Sequence, residues 1–310
     1  MKASEASSPA RSGGDPRSSP SKPRTPDRFR LGGASAKLDP RIHAVRKDVA
    51  DIALADRVFA PHYAKPLLHG CVAASVAMRA APSSGAIAVS ELLRGEGFAV
   101  VDASGDWAWG YSVHDGYVGY VPVDAIGPFA APTHIVASPA ALVFADRSIK
   151  APVAERLPMG AQLSVTASDG DFHEIAGGFV HDRHLAPLDR IEADPVAVAA
   201  RLTGVPYRWG GRSGDGIDCS GLVQLALAFA GQPALRDSDQ QQGLGSAIAE
   251  GAPLRRGDLV FLPGHVGMMA DDTHLLHANA FWMRVVTEPL ADVVARQPEG
   301  RGITALRRMT

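Results

Sequence analysis

The sequence predicts a multidomain chain in which two small all-β barrels precede an α+β domain. At 310 residues it exceeds what one small core holds together. Between residues 84 and 127, short alternating apolar stretches follow one another at close turn spacing, and a fainter version of that order returns between 133 and 188. From Pro206 onward a glycine-rich loop gives way to an apolar helix-forming run, and strand-like segments follow to the end, which is an α+β order.

Composition narrows the function classes. The formal net charge is −2, so no basic surface for nucleic acid or an anionic membrane is expected. No uninterrupted apolar run reaches the roughly 18 residues of a transmembrane helix. The opening MKASEASSPARSGGDPRSSPSKPRTPDRFR has no apolar core of a secretory signal. Only two cysteines occur, Cys71 and Cys219, which suits a reducing compartment. A cytoplasmic protein is the expectation.

In chain order, residues 1–36 are rich in Ser, Pro, Arg and Gly and too poor in large apolar side chains to offset the entropy of ordering; a disordered tail is expected. Residues 37–82 form a helical and extended segment, with Ile42, Val45, Val49, Ile52 and Leu54 at spacings that suggest a short helix. Cys71, in the apolar run from Leu67 to Ala80, reads as a buried structural thiol. The first barrel spans 83–130, with turn signals at Arg94-Gly95-Glu96-Gly97, Ser104-Gly105-Asp106 and Asp115-Gly116. The second spans 131–190. The last domain, 191–310, opens with a helix-compatible stretch from Asp194 to Leu202.

Within that domain, Leu222, Val223, Leu225, Ala226 and Phe229 recur at helical spacing, and Gly231 and Pro233 stop the run. Cys219 therefore sits at the first turn of a mostly buried helix, where unpaired N–H groups and the helix dipole favour a thiolate. Gly210, Gly211, Gly214 and Gly216 are expected to leave space for a substrate chain beside the sulfur. Strands are expected at 258–262, 265–270, 274–279, 283–288 and 303–308. If Ala270-Asp271-Asp272 form the hairpin loop, His265 faces His277 across the ladder on one face of the sheet. Cys219, His265 and His277 then satisfy the logic of nucleophile, base and orienter. His181 and His184 have the spacing of a metal half-site, but no second ligand pair accompanies them. No metal or organic cofactor is needed for thiolate chemistry.

The order ELLRGE, DWAWGYS, DGYVGYVP in the first barrel resembles bacterial SH3-type (SH3b) domains, and LPMGAQLSV, GDFHEI, GGFVHDRHL fits a second. The stretch PYRWGG…DCSGLVQ…RDSDQQ…RRGDLVFLPGHVGMM…LLHANA…VTEPL resembles the NlpC/P60 family of papain-like cysteine peptidases. The whole order resembles the branch of cytoplasmic γ-D-glutamyl-diamino-acid endopeptidases that recycle peptidoglycan stem peptides. That resemblance implies Cys219 as nucleophile, His265 as base and His277 as the third polar residue. It also implies Tyr207 beside the nucleophile as an oxyanion donor, Asp218 and Ser220 flanking the cysteine with Asp218 helping to bind a substrate amine, and Asp237 and Ser238 lining the substrate. Glu96 and Tyr117 of the first barrel are the residues expected to reach over and close one end of the cleft. Asp218 also reads as a plain helix cap, and Trp209 as a packing residue.

The resemblance further implies a murein-derived peptide, L-Ala-γ-D-Glu-diamino acid, as the partner molecule, with the bond before meso-diaminopimelate or lysine as the one cut. Two other readings stay open from sequence: a secreted hydrolase of intact peptidoglycan, and a non-catalytic wall-binding SH3b protein. Diaminopimelate against lysine preference and the oligomeric state are not set by the sequence.

Overall fold

The apolar spacing after Lys37 does not build a helix. In the computed structural model, which describes residues 37–249, 251–299 and 301–309, this stretch is extended. The tail expected over 1–36 lies outside the described residues. Val49–Asp51 pairs in parallel with His62–Ala64, and the Asp51 carboxylate caps a single 3-10 turn, Ile52–Leu54. The Asp51 carboxylate accepts from the backbone N–H of Ala53 and so supports the start of this turn, which closes at Ala55 after one round. Ile52, needed on the buried face of a helix, is exposed, while Ala44 and Val49 pack against Val101 and Trp109 of the next domain.

That domain is one antiparallel sheet of seven strands. Their hydrogen-bonded order is Ala88–Leu93, Ser75–Arg79, Val118–Pro122, Trp107–Ser112, Gly97–Ser104, Leu67–Cys71 and Ile126–Pro128. It begins at Leu67 rather than 83, because the apolar run around Cys71 supplies two strands. Cys71 lies in its core with Met78, Leu92, Phe98 and Val121, and burial, aided by the charge of Glu96, pushes its thiol up to about 12. A bulge between Val100 and Asp102 bends the sheet. The expected closed ring is not formed: the ladder is linear, and its last strand ends in Pro128, which has no N–H to extend it.

Residues from His134 to Pro187 build a separate core of Val136, Ala141, Val143, Leu157, Ala161 and Val180. Its strands are divided between a three-stranded and a five-stranded open sheet.

The remaining domain has the expected α+β order. Helix α1 (Pro195–Ala200) and helix α2 (Cys219–Phe229) pack on one face of a six-stranded antiparallel sheet. In order, the sheet runs Ser246–Ala247, Ala305–Arg308, Leu259–Leu262, His265–Met269, His274–Asn279 and Arg284–Pro289. Short helices α3 (Ser238–Gln241) and α4 (Leu290–Ala295) flank it, α4 covering part of the opposite face with Val293 against Leu275 and Met269.

Candidate active site

Cys219 is the first residue of α2. Asp218 is the cap, its Oδ1 accepting from Gly221 N at 2.8 Å. The capping carboxylate is itself fixed from two further sides. Gly210 N donates to Oδ2 at 2.8 Å, and Arg236, only 1 % exposed, donates to both oxygens at 2.9 and 2.6 Å. Asp218 thus holds the helix start rigid, and most of its acceptor capacity is already in use. Arg236 also donates to Ser220 Oγ at 2.9 Å.

The upstream glycines serve the backbone rather than a substrate path. A Cβ on Gly211 would lie 2.3 Å from the carbonyl oxygen of Gly216, and one on Gly214 would lie 2.8 Å from that of Pro139. Gly210 has φ +75° and a Cβ there would approach Ala88 O at 3.0 Å. Chain segments come together here too closely for any side chain.

Helix α2 packs across the His265 strand, and the backbone N–H of Val266 is among the groups that favour the thiolate. Burial, at 6 % exposure, and then the charge of Asp218 push the Cys219 thiol up to about 11, against the opposing pull of Val266 N–H and Arg236. Burial and the Asp218 charge thus work against the helix dipole at this sulfur. Burial and His277 push His265 down to about 3, so its ring is neutral and able to accept a proton.

The two imidazoles meet, though by a different register from the expected one. Asp271 Oδ1 accepts from the N–H groups of Thr273 and His274 at 2.8 and 2.7 Å, which draws Thr273 into the loop. Met268 then lies opposite Leu276. The displacement is two residues, which returns every side chain to the same face. His265 Nε2 sits 2.7 Å from His277 Nδ1.

Behind His277, which is fully buried, stands Glu288, a residue sequence reasoning missed: its Oε1 lies 2.9 Å from His277 Nε2. Although burial works against it, Arg296, Trp282 and His277 hold this carboxyl below its ordinary value. An ionised carboxylate only accepts, so His277 Nε2 carries the proton and Nδ1 accepts from His265 Nε2–H. His265 Nδ1 is left bare. Glu288 enters through strand pairing, opposite Leu275, so no local motif announces it.

Cys219 opens onto a cavity of about 380 Å³ lined by Tyr117, Tyr207, Asp218, Ser220, Asp237 and Ser238, all expected at the site. Trp209, Arg41, Asp239 and Gln242 line it as well. Trp209 is 65 % exposed, so it is a rim residue and not the packing residue expected. Burial, and then the ionisable groups of Cys219 and Asp218 beside it, raise the Tyr207 hydroxyl well above its ordinary value, which leaves it a donor. Tyr117 reaches from the seven-stranded sheet and its hydroxyl donates to Asp237 Oδ2 at 2.9 Å. Arg41 donates to the same oxygen at 2.9 Å and to both oxygens of Asp239. Nothing in the spacing of LDPRIH marks that arginine.

Glu96 is not at the cleft. It is 4 % exposed and grips buried Arg212 of the Arg212–Ser213 strand at 2.9 and 3.1 Å. Its carboxylate joins the two domains instead of meeting a substrate.

Two family models match. Residues 204–297 match the NlpC/P60 family, and residues 78–126 match the bacterial dipeptidyl-peptidase Sh3 domain. The probable endopeptidase NlpC of Escherichia coli is 31 % identical over 120 residues, covering 34 % of this chain and 77 % of that protein. The chain belongs to the NlpC/P60 family of cysteine peptidases.

Dipeptidyl-peptidase 6 of Lysinibacillus sphaericus is 31 % identical over 127 residues, 37 % of this chain and 44 % of that one. The γ-D-glutamyl-L-lysine dipeptidyl-peptidase of Bacillus cereus is 25 % identical over 224 residues, 61 % of this chain and 66 % of that one. The matched regions thus span less than two thirds of both of these relatives. A crystal structure of an NlpC/P60 family protein from Bacillus cereus shares the fold, with a TM-score of 0.67 at 20 % identity over 78 % of this chain and 99 % of that one.

Among the described residues no cluster of three or more His, Cys, Asp or Glu is placed to hold a metal ion, and no helix is long and apolar enough to cross a membrane.

Proposed function

We propose that this protein is a cysteine endopeptidase that hydrolyses the γ-D-glutamyl–diamino acid bond of peptidoglycan stem peptides bearing a free N-terminal L-alanine. One observation carries the reading. Tyr117, Asp237, Asp239 and Arg41 line the cavity at Cys219 and are tied to one another, and in our reading they form the wall at which the free end of a bound peptide stops. With Asp218 paired to Arg236, Asp237 and Asp239 remain on the cavity against the single Arg41, a balance that suits an ammonium group. A glycan still attached to the alanine would run into that wall. Free alanine amines exist only on peptides already cut from the glycan, and a recycling enzyme of the cytoplasm is the reading that suits such a substrate. The seven-stranded sheet is an SH3b domain that supplies Tyr117, and the His134–Pro187 unit is a second, divergent one.

The chemistry is acyl transfer. As the Cys219 sulfur attacks the γ-carbonyl carbon, its proton passes to bare Nδ1 of His265. The imidazolium that forms is stabilised through His277 by the Glu288 carboxylate. The oxyanion takes hydrogen bonds from the Tyr207 hydroxyl and the Cys219 backbone N–H. When the C–N bond breaks, His265 returns the proton to the leaving amine and a γ-glutamyl thioester remains. Water, deprotonated by His265, then attacks the thioester carbon and expels the thiol, releasing L-Ala-D-Glu.

The test is a paired mass-spectrometric assay of L-Ala-γ-D-Glu-meso-diaminopimelate and the same peptide acetylated on alanine, with Cys219→Ala as control. Cleavage of the free peptide alone, abolished in the variant, is the expected result. Equal cleavage of both would remove the amine-reading end, and digestion of intact sacculi would remove the recycling role. Fractionation of the host cell tests the cytoplasmic placement.

A further inference from the structure

A second cavity, of about 270 Å³, lies on the other side of Tyr207 and Gly264 and is lined by His265, Asn279, Phe281, Arg296 and Gln297. The amine leaving the scissile carbonyl takes its proton from the base, so the leaving group must sit on the His265 side. This assignment rests on the acyl-transfer reading above.

The two cavities differ in sign. Asp218, Asp237 and Asp239 line the first, whereas no carboxylate lines the second and its charged group is Arg296. Arg296 is held on two sides: Nη2 donates to Glu288 Oε1 at 2.5 Å, and the guanidinium carbon lies 4.8 Å from the Phe281 ring centroid. Among the described residues, its Nη1 and Nε make no hydrogen bond. A planar guanidinium fixed by one edge and one face presents its remaining N–H groups as a fork, the arrangement that binds a carboxylate.

We propose that this second cavity is a carboxylate-binding subsite for the leaving diamino acid, with Arg296 reading the carboxylate and Glu288 holding Arg296 in place. The substrate is then bound by opposite charges at its two ends, an ammonium against the acidic wall and a carboxylate at Arg296. Two carboxylates answer that chemistry: the C-terminal α-carboxylate, and the side-chain carboxylate that diaminopimelate has and lysine lacks.

The full-length protein would be assayed on L-Ala-γ-D-Glu peptides ending in meso-diaminopimelate, lysine and lysinamide. If the α-carboxylate is read, kcat/KM falls about 10- to 100-fold from lysine to lysinamide, the usual size for a charged hydrogen bond. If the side-chain carboxylate is read, the fall comes between diaminopimelate and lysine. Arg296→Gln should abolish the difference between the peptides, on top of any uniform loss that reaches catalysis through Glu288, and Arg296→Lys should restore part of it. Equal rates of the parent on all three peptides, or a discrimination that survives unchanged in Arg296→Gln, would overturn the subsite. Calorimetry with free meso-diaminopimelate on Cys219→Ala gives an independent readout. If no peptide is cut but diaminopimelate binds and Arg296→Gln removes that binding, the subsite stands and the bond assignment falls. If neither binding nor discrimination appears, the subsite falls.

Discussion

Glu288 Oε1 lies 2.9 Å from His277 Nε2 and 2.5 Å from Arg296 Nη2, so one carboxylate oxygen serves both the histidine pair and the second cavity. Its ionised form is what sets the direction of every proton in the row His265–His277–Glu288. Glu288→Gln keeps the shape and places an N–H donor in reach of His277 Nε2. The row would then reverse and leave His265 Nδ1 protonated. kcat should fall by about 100-fold or more, the effect of a wrong tautomer in a related triad. Nitrogen chemical shifts of His277 would check the cause: an unchanged tautomer alongside full activity would remove Glu288 from the row.

The acid side of the rate profile follows from burial of the same rings. Desolvation, and then His277, hold His265 down near about 3, far below the ordinary imidazole value of about 6.5. The base stays neutral as pH falls through 6, because protonation of a lowered group occurs only near its lowered value. kcat/KM should therefore hold level well below pH 6 before it declines, provided the fold survives. A limb centred near the ordinary imidazole value would show that the ring is solvated.

Much of this site was legible in the sequence, and what was missed has a common physical character. The helix beginning at Cys219 and the strands carrying the two histidines follow from local periodicity, whereas Tyr207 and Tyr117 come from the resemblance to the family. The hairpin register differs from the expected one because the Asp271 turn lengthens the loop, yet the period of two keeps both rings on one face. Arg41, Glu288 and Arg236 could not be seen, since each acts through a partner brought near by the fold. Arg41 meets Asp237 across 196 positions of sequence. Glu96 differs from its expected place for the same reason: an acidic residue beside a glycine turn has the sequence context of an exposed one, and its partner Arg212 lies far along the chain.

That buried pair gives a stability prediction. Burial alone would raise the Glu96 carboxyl, but the charges of Arg212 and His114 more than offset it and hold it below its ordinary value. A carboxyl with a lowered folded pKa stabilises the protein fully above its unfolded value, about 4.3 for glutamate, and loses that contribution as pH falls through the folded one. Arg212→Met leaves Glu96 buried without a partner and should cost about 3–5 kcal/mol at neutral pH. Denaturant unfolding at neutral and at acid pH would show the deficit, and the gap from the parent should narrow as the carboxylate becomes protonated.

The closed end of the first cavity depends on two residues from outside the peptidase domain, and they should fail in different ways. Tyr117→Phe removes one donor to Asp237 and leaves the wall in place. Its expected effect is a rise in KM for the free-amine peptide by about tenfold, the size of one charge-assisted hydrogen bond, with kcat nearly unchanged. Arg41→Ala removes the tie between the N-terminal segment and both Asp237 and Asp239, so the wall itself loosens. Acetylated peptide should then be cleaved faster than by the parent, while the free peptide keeps its preference through the freed carboxylates. Measuring both substrates on both variants separates a lost contact from an opened end. Identical behaviour of the two variants would mean that the wall is held by neither, and that the acidic residues of α3 act alone.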